Sequence, residues 1–252
     1  MVAIISDIHA NSTALRAVLA DIQRRKIQQI YCLGDLVDYG PAGNEVIDII
    51  RKRGIPCILG NHDEGIAYDR PIVRAAFHME AETAARIAAI NYSKKSITQD
   101  NKEWLKSLPY EMELTFKTDL SGKKIRIMLV HGSLKDNKEY IYENNPNQHI
   151  LDELNKKAVS MLVMGHTHLS YIKKIDNLML VNAGSVGRSK EYDRKAVYTV
   201  VSFGDNELKA EIIKVDYDIQ SVARDIYNSE IPDFYADFLL YPENSEGINV
   251  KS

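Results

Sequence analysis

The chain has 252 residues, 45% hydrophobic and 27% charged, proportions of an ordinary folded protein of one or two domains. Its 32 basic and 35 acidic side chains leave a formal charge of −3, so no broad basic field points to nucleic acid as the main partner. Two cysteines, Cys32 and Cys57, exclude a disulfide scaffold and a Cys-rich zinc site.

Val2 to Ile5 reads as a strand that begins at once, with no basic segment or cleavage signal, so no secretory peptide is expected. Leu15, Val18, Leu19 and Ile22 follow at the spacing of an amphipathic helix. Ile30 to Leu33 is a second strand. Asn44 is expected to cap a helix carrying Val46, Ile47 and Ile50. Ile55 to Leu59 reads as a third strand, with Pro56 near its start. This alternation implies parallel strands joined by right-handed crossovers. Cys32 and Cys57 fall inside the predicted strands as small core hydrophobes.

Residues 72 to 90 are Ala-rich and helical in pattern, and a further helix from Asp100 to Leu108 ends at Pro109. Trp104 on that helix reads as packing. Strands are then expected at Met112 to Phe116, Lys124 to Val130, Met161 to Met164, Tyr171 to Ile175, Leu178 to Val181, Ala196 to Phe203 and Leu208 to Val215. A helix from Asn147 to Lys157 interrupts them. Gly122, Asn177 and Asp205-Asn206 mark turns. Ile219 to Asn228 reads as a late helix. Phe234, Tyr235, Phe238 and Leu239 could cover the core or a partner. One domain is expected over residues 1–241, with 66–110 as a helical insertion or lid and 242–252 as a loose tail. No apolar run is long enough to cross a bilayer. The absent signal and sparse cysteines fit a reducing cytoplasm.

Three polar residues stand just beyond the first three predicted strands: Asp7, Asp35 and Asn61, spaced 28 and 26 residues apart. Each interval is one strand-plus-helix unit. Parallel strands present their carboxyl ends on one sheet edge, where open α/β sheets bind ligands. Gly34 and Gly60 precede Asp35 and Asn61 and allow close backbone approach. Asp7-Ile8-His9 puts a carboxylate and an imidazole on one face of a strand end. Asp35 and Asp38 could instead be turn formers, and Gly60-Asn61-His62-Asp63 is also an acceptable turn. His131-Gly132 and Gly165-His166-Thr167-His168 follow further buried strands. Each motif alone has an ordinary reading. Together they place five sets of oxygen and nitrogen donors at strand ends.

These motifs, in this order, resemble those of the calcineurin-like metallophosphoesterases. They stand here as Asp7-x-His9, Gly34-Asp35-x-x-Asp38, Gly60-Asn61-His62-Asp63, His131-Gly132 and Gly165-His166-x-His168. Val181-Asn182-Ala183-Gly184-Ser185-Val186-Gly187 also looks like a stretch found near the end of small bacterial and archaeal members. The resemblance implies a four-layer α/β/β/α double β-sandwich. It implies one divalent ion on Asp7, His9, Asp35 and His168 and a second on Asp35, Asn61, His131 and His166, with Asp35 bridging. A shared carboxylate reduces the repulsion of two cations about 3.5–4 Å apart. Nitrogen and oxygen donors suit Mn, Fe, Co, Ni or Zn, with Mn or Fe expected in the cell.

The resemblance further implies hydrolysis of a phosphomonoester or phosphodiester by in-line attack of a metal-bridging hydroxide. Inorganic phosphate would be a product or inhibitor. His62 would be the general acid, oriented by Asp38. Asn11 could contact phosphate or simply cap the first helix. Tyr39 stands where Ser/Thr phosphoprotein phosphatases carry a phosphate-clamping Arg, which weakens that alternative. A catalytically silent scaffold of the same fold is the other alternative. Ala10 stands where relatives often carry Gly. Arg70, Arg74 and His78 could line a substrate lid or face water, with solvation the favoured reading, and the same holds for Arg188 and Arg194. His149 is expected at the surface.

Overall fold

A computed structural model describes residues 1–72, 80–117, 124–204 and 207–245 of the chain. Strand β1 (Val2–Ile5) is buried along its whole length because both faces are covered. Its neighbours in the chain are α1 (Ser12–Arg24), β2 (Gln29–Cys32), α2 (Gly43–Lys52) and α3 (Asn61–Ala67). Helices α4 (Glu80–Ser96) and α5 (Gln99–Lys106) lead into β3 (Glu111–Lys117) and β4 (Lys124–Val130). After α6 (Gln148–Lys156) come β5 (Met161–Met164), β6 (Tyr171–Ile175) and β7 (Leu178–Asn182). The long hairpin β8 (Ala196–Gly204) and β9 (Glu207–Val215) is followed by α7 (Ile219–Tyr227) and α8 (Phe234–Leu240).

The strands form two sheets, ordered β2-β1-β8-β9 and β3-β4-β5-β7-β6. Within them β1 pairs parallel with β2, and β5 pairs parallel with both β4 and β7. Strand periodicity builds the layers. Val2, Ile4 and Val201 of the first sheet meet Ile127, Leu129, Met161, Val163 and Val181 of the second in a shared core. Ala3 and Ile5 face the opposite way, onto Leu15, Val18 and Ile22 of α1 and Ile47 and Ile50 of α2. Met128, Val130, Leu162 and Met164 face outward onto Ile150, Leu151 and Leu154 of α6. The result is the anticipated α/β/β/α stack. Three of these parallel strands, β1, β4 and β5, end at Ile5, Val130 and Met164, just before the candidate ligands Asp7, His131 and His166.

Several local expectations are corrected. Residues 55–59 form no ladder but a single bridge, Cys32 with Cys57. Ile55 N–H is held by Ile50 at the end of α2, and Leu59 N–H turns away to Pro109, so both ends leave the sheet. Asn61 opens a short helix rather than closing a turn. Ala42, not Asn44, occupies the N-cap of α2. The Asn44 amide instead donates to Ser96 and accepts from Thr98 and Asn101, tying α2 to the α4–α5 corner.

Asp176 and Asn177 make the tight β6–β7 turn, with Ile175 opposite Leu178. Phe234, Tyr235, Phe238 and Leu239 belong to α8, which packs with α7 and with Ala85 and Ala89 of α4. Trp104 packs against the main core. His149 is exposed, 3.2 Å from Glu139. The tail begins with a 3-10 turn, Pro242–Ser245. Gly122, Asp205-Asn206, Arg74 and His78 lie outside the described residues.

Candidate metal centre and acid pair

Seven of the expected residues converge at one edge of the two sheets. Six of them form two buried groups, Asp7 with His9 and His168, and Asp35 with His131 and His166, and Asn61 is the seventh. In each group the donor atoms lie within 4.8 Å of one another, close enough for one ion to draw them together. Asp35 Oδ2 is 3.2 Å from His131 and 3.7 Å from His9, so it faces both groups. Asn61 Oδ1 lies 3.0 Å from His131 Nε2.

The hydrogen bonds around these donors fit a cation. Nδ1 of His9, His131 and His168 donates to the carbonyls of Val37, Leu33 and Arg188 at 3.0, 2.9 and 2.8 Å. That fixes each ring's orientation and leaves each Nε2 pointing into the site. His166 is reversed: Nε2 donates to Lys138, which frees Nδ1. Nε2 of His9 and Nε2 of His168 then face each other at 3.1 Å with no hydrogen between them.

Each carboxylate is divided in the same way. Asp7 Oδ2 accepts from the Ser6 hydroxyl and the His166 amide, and Asp35 Oδ1 accepts from the His62 amide. Their other oxygens, Asp7 Oδ1 and Asp35 Oδ2, are buried without a hydrogen-bond partner. An uncompensated buried charge costs on the order of 3–5 kcal/mol. A divalent ion in each group would satisfy both orphan oxygens and separate the opposed imidazoles. The donor set contains no sulfur.

Local backbone and charge agree with this. Asp7, His9, Asp35, Asp38, His166 and His168 all have left-handed φ values, between 48° and 73°. Such conformations cost roughly 1–2 kcal/mol each for non-glycine residues and concentrate at functional sites. Gly60 makes the geometry possible: a Cβ there would lie 2.1 Å from Asp35 Oδ1. Burial alone would raise the Asp7 and Asp35 carboxyls, but the facing histidines hold both well below the usual range. Burial lowers His131, yet ionised Asp35 pushes it up to about 10. His166 and His168 are pushed down to about 3, first by burial, so they keep the neutral form a metal requires.

His62 sits beside the two groups, its ring edge-on to His9 at 5.2 Å. Its Nδ1 is 2.7 Å from Asp38 Oδ2 and its Nε2 is 3.2 Å from the Tyr39 hydroxyl. Burial depresses this imidazole, but the Asp35 charge and the Asp38 hydrogen bond raise it above its ordinary value. Asp63, which bonds the amides of Leu36 and Gly60, braces this turn.

Other expected residues behave differently. The Asn11 amide is engaged at both ends, accepting from Ala14 as the α1 N-cap and donating to Gly187. Arg70 is largely exposed, 3.3 Å from Glu64, and lines the cleft beside His62. Arg188 and Arg194 are not solvated but 7% and 3% exposed. The Arg194 guanidinium bonds the carbonyls of Phe238, Ser189 and Glu191, stapling its loop to α8. Arg188 lies over Phe238 at 4.3 Å and Tyr39 at 4.5 Å, and its buried Nε has no partner. Ser6, Asp63, Arg188 and Lys190 are site features the sequence reading did not assign. Asp63 lies within its motifs, and Ser6 and Arg188 adjoin them. Lys190, pushed down to about 8 by burial and by Arg188, has no comparable signal.

A double sandwich with two Asp/His groups at adjoining strand ends defines a metallophosphoesterase-type fold and site. The chain belongs to the calcineurin-like phosphoesterase superfamily, whose domain model matches residues 1–206. It is 31% identical over 255 residues to the uncharacterized protein MJ0912 of Methanocaldococcus jannaschii, covering 95% of this chain and 97% of that one. A metallophosphoesterase from Sphaerobacter thermophilus superposes with a TM-score of 0.71 at 25% identity, covering 96% and 98% of the two chains. The hypothetical protein PH1004 of Pyrococcus horikoshii has a TM-score of 0.75 at 23% identity over 95% and 98%.

Proposed function

We propose that this protein is a two-metal phosphoesterase that hydrolyses a phosphomonoester or phosphodiester. The observation that carries this reading is the pair of orphan oxygens, Asp7 Oδ1 and Asp35 Oδ2, facing the Nε2 atoms of His9, His131 and His168 beside the His62–Asp38 pair. Two divalent cations, when bound, supply an activated water and neutralise charge on the transferring phosphoryl group. Asp7, His9, Asp35 and His168 would hold one, and Asp35, Asn61, His131 and His166 the other. Mn or Fe is the expected native metal, with Zn, Co or Ni able to substitute.

His62 donates a proton from Nε2 to the leaving oxygen, and Asp38 holds Nδ1–H in place and favours the charged form. Tyr39 accepts from the same Nε2 until a leaving group replaces it. Arg188 brings a guanidinium to this side of the site, where residue 39 does not. The complete donor set and the His62–Asp38 pair support an enzyme over a silent scaffold, and Tyr39 weighs against a phosphoprotein phosphatase. The reading places the protein in a reducing cytoplasm, with inorganic phosphate or a phosphomonoester as product, inorganic phosphate as product or inhibitor, and no membrane or specific nucleic-acid partner. The test is metal-stripped protein assayed with Mn²⁺, Fe²⁺, Co²⁺, Ni²⁺ or Zn²⁺ on para-nitrophenyl phosphate, bis-para-nitrophenyl phosphate and nucleotides. Metal-dependent turnover is expected, and none with any ion overturns the reading.

A further inference from the structure

The β4–α6 loop carries a column of rings outward from the candidate centre. The Tyr140 ring lies 4.1 Å from the ring of His166, tilted by 33°. Tyr142 is parallel to Tyr140 within 5°, with the centroids 5.8 Å apart. Parallel rings at that separation are offset and overlap only in part. Tyr140 and Tyr142 are accordingly 44% and 37% exposed, while Ile141 between them is buried.

The loop is pinned on both sides of Tyr140. The Lys138 carbonyl accepts from His166 Nε2 at 3.1 Å. Ile141 packs with Ile150 and Leu151 of α6, and its carbonyl accepts from the Tyr171 hydroxyl at 2.9 Å. Asn147 donates to Glu139 at 2.9 Å. A fixed backbone therefore sends Ile141 into the core and keeps two aromatic side chains partly in water beside a metal-ligand candidate.

Tyr140 also lines a cavity of about 330 Å³ whose wall includes Asn61, His62 and His166. Ile66, Pro71, Ile72 and Ile90 give this wall apolar surface, and charged side chains complete it. Under the proposed function His62 gives its proton to the leaving oxygen, so the alcohol of the ester extends into the cavity shared by His62 and Tyr140. A saturated alcohol would cover the isoleucines and gain nothing further from a pre-set ring. A flat aromatic group gains the stacking geometry as well, at little cost in ordering the protein.

We infer that Tyr140, backed by Tyr142, is a stacking platform, and that the alcohol of the substrate ester carries a flat aromatic group, a nucleobase or a smaller arene. This rests on the phosphoesterase reading for the direction of the scissile bond. The reaction remains a hydrolysis: water's oxygen bonds to phosphorus, the P–O bond to the leaving group breaks, and His62 supplies that oxygen's proton.

The experiment compares two pairs of esters that differ in a flat ring: benzyl with cyclohexylmethyl phosphate, and adenosine 5′-phosphate with ribose 5-phosphate. Wild-type protein should favour the flat member of at least one pair by about tenfold in kcat/KM. A preference confined to the benzyl pair supports a small arene, and one in the adenosine pair a nucleobase. Tyr140→Leu should remove the preference and Tyr140→Phe should keep it, because the ring and not the hydroxyl stacks. Calorimetric titration with 2-phenylethylphosphonate and 2-cyclohexylethylphosphonate, in which a methylene replaces the ester oxygen, supplies a readout independent of turnover. No preference in either pair overturns the proposal, as does a preference that survives Tyr140→Leu. Absence of all turnover, with tighter binding of 2-phenylethylphosphonate that Tyr140→Leu abolishes, would overturn only the phosphoesterase reading.

Discussion

The Arg188 guanidinium lies 4.5 Å from the ring centroid of Tyr39, whose hydroxyl is 3.2 Å from His62 Nε2. A buried cation, an aromatic platform and the proposed acid therefore form one stack beside the metal groups. The stack orients Arg188, because stacking on aromatic faces restrains a guanidinium and leaves its edge donors for an anion. Removing it costs a charge-assisted contact of about 1.5–3 kcal/mol. Arg188→Leu is therefore expected to lower kcat/KM by roughly 10- to 100-fold and to weaken inhibition by inorganic phosphate in parallel. Metal content, read by elemental analysis, should stay unchanged. Arg188→Lys should restore only part of the loss, because an ammonium lacks the planar stacking surface. Unaltered phosphate inhibition in Arg188→Leu would contradict the assignment.

Among the described residues, Asp35 is the carboxylate whose free oxygen faces histidines of both groups. Asp35→Asn keeps the shape and, through its amide oxygen, the bond from the His62 amide, but removes the charge. Metal affinity should fall at both positions, with no more than one ion retained after dialysis. Asp7→Asn should affect chiefly the group containing His9 and His168. Two tightly held ions in Asp35→Asn, counted by elemental analysis, would rule out a shared ligand.

Gly60 is held by packing rather than by an unusual φ, since its backbone is extended at φ −82°. A methyl there would meet Asp35 Oδ1 at 2.1 Å and Asp35 N at 2.2 Å. The backbone cannot yield without moving Asp35. Gly60→Ala should therefore lose about 2 kcal/mol or more of stability and bind metal more weakly, read by thermal unfolding with and without Mn²⁺. The stabilisation given by added metal should shrink with it. An unchanged unfolding midpoint together with full metal binding would show that the turn can relax.

Much of this was legible in the chain because local pattern and chemistry coincided. The strands before Asp7, Asp35, His131 and His166 are short, mainly apolar runs that end within three residues of those polar donors, and the donors had one sheet edge to share. Arg188 and Arg194 were misread as solvated because what buries them is distant. Their cover comes from Phe238 and Tyr235 on α8, more than 40 residues later, and no local periodicity marks it. The third strand failed for a different reason: Ile55 and Leu59 are claimed by α2 and by Pro109, a tertiary choice that β propensity does not encode.

The His62–Asp38 bond sets a pH dependence whose sign can be worked out. Burial lowers the His62 imidazole, but the Asp35 charge and the Asp38 hydrogen bond outweigh it, so the net shift is upward. A general acid works only while protonated. The alkaline limb of kcat for a poor leaving group should therefore lie above pH 6.5, the ordinary histidine value. Asp38→Asn removes one of the raising influences, so that limb should move to lower pH. His62→Gln should abolish the limb and lower kcat by about 10²–10⁴-fold for alkyl phosphates. The loss should be much smaller for para-nitrophenyl phosphate, whose leaving group departs without a proton. Rate profiles from pH 5 to 9 on both substrates separate these outcomes. Equal losses on the two substrates would remove His62 from the proton-transfer role, whatever its effect on the overall rate.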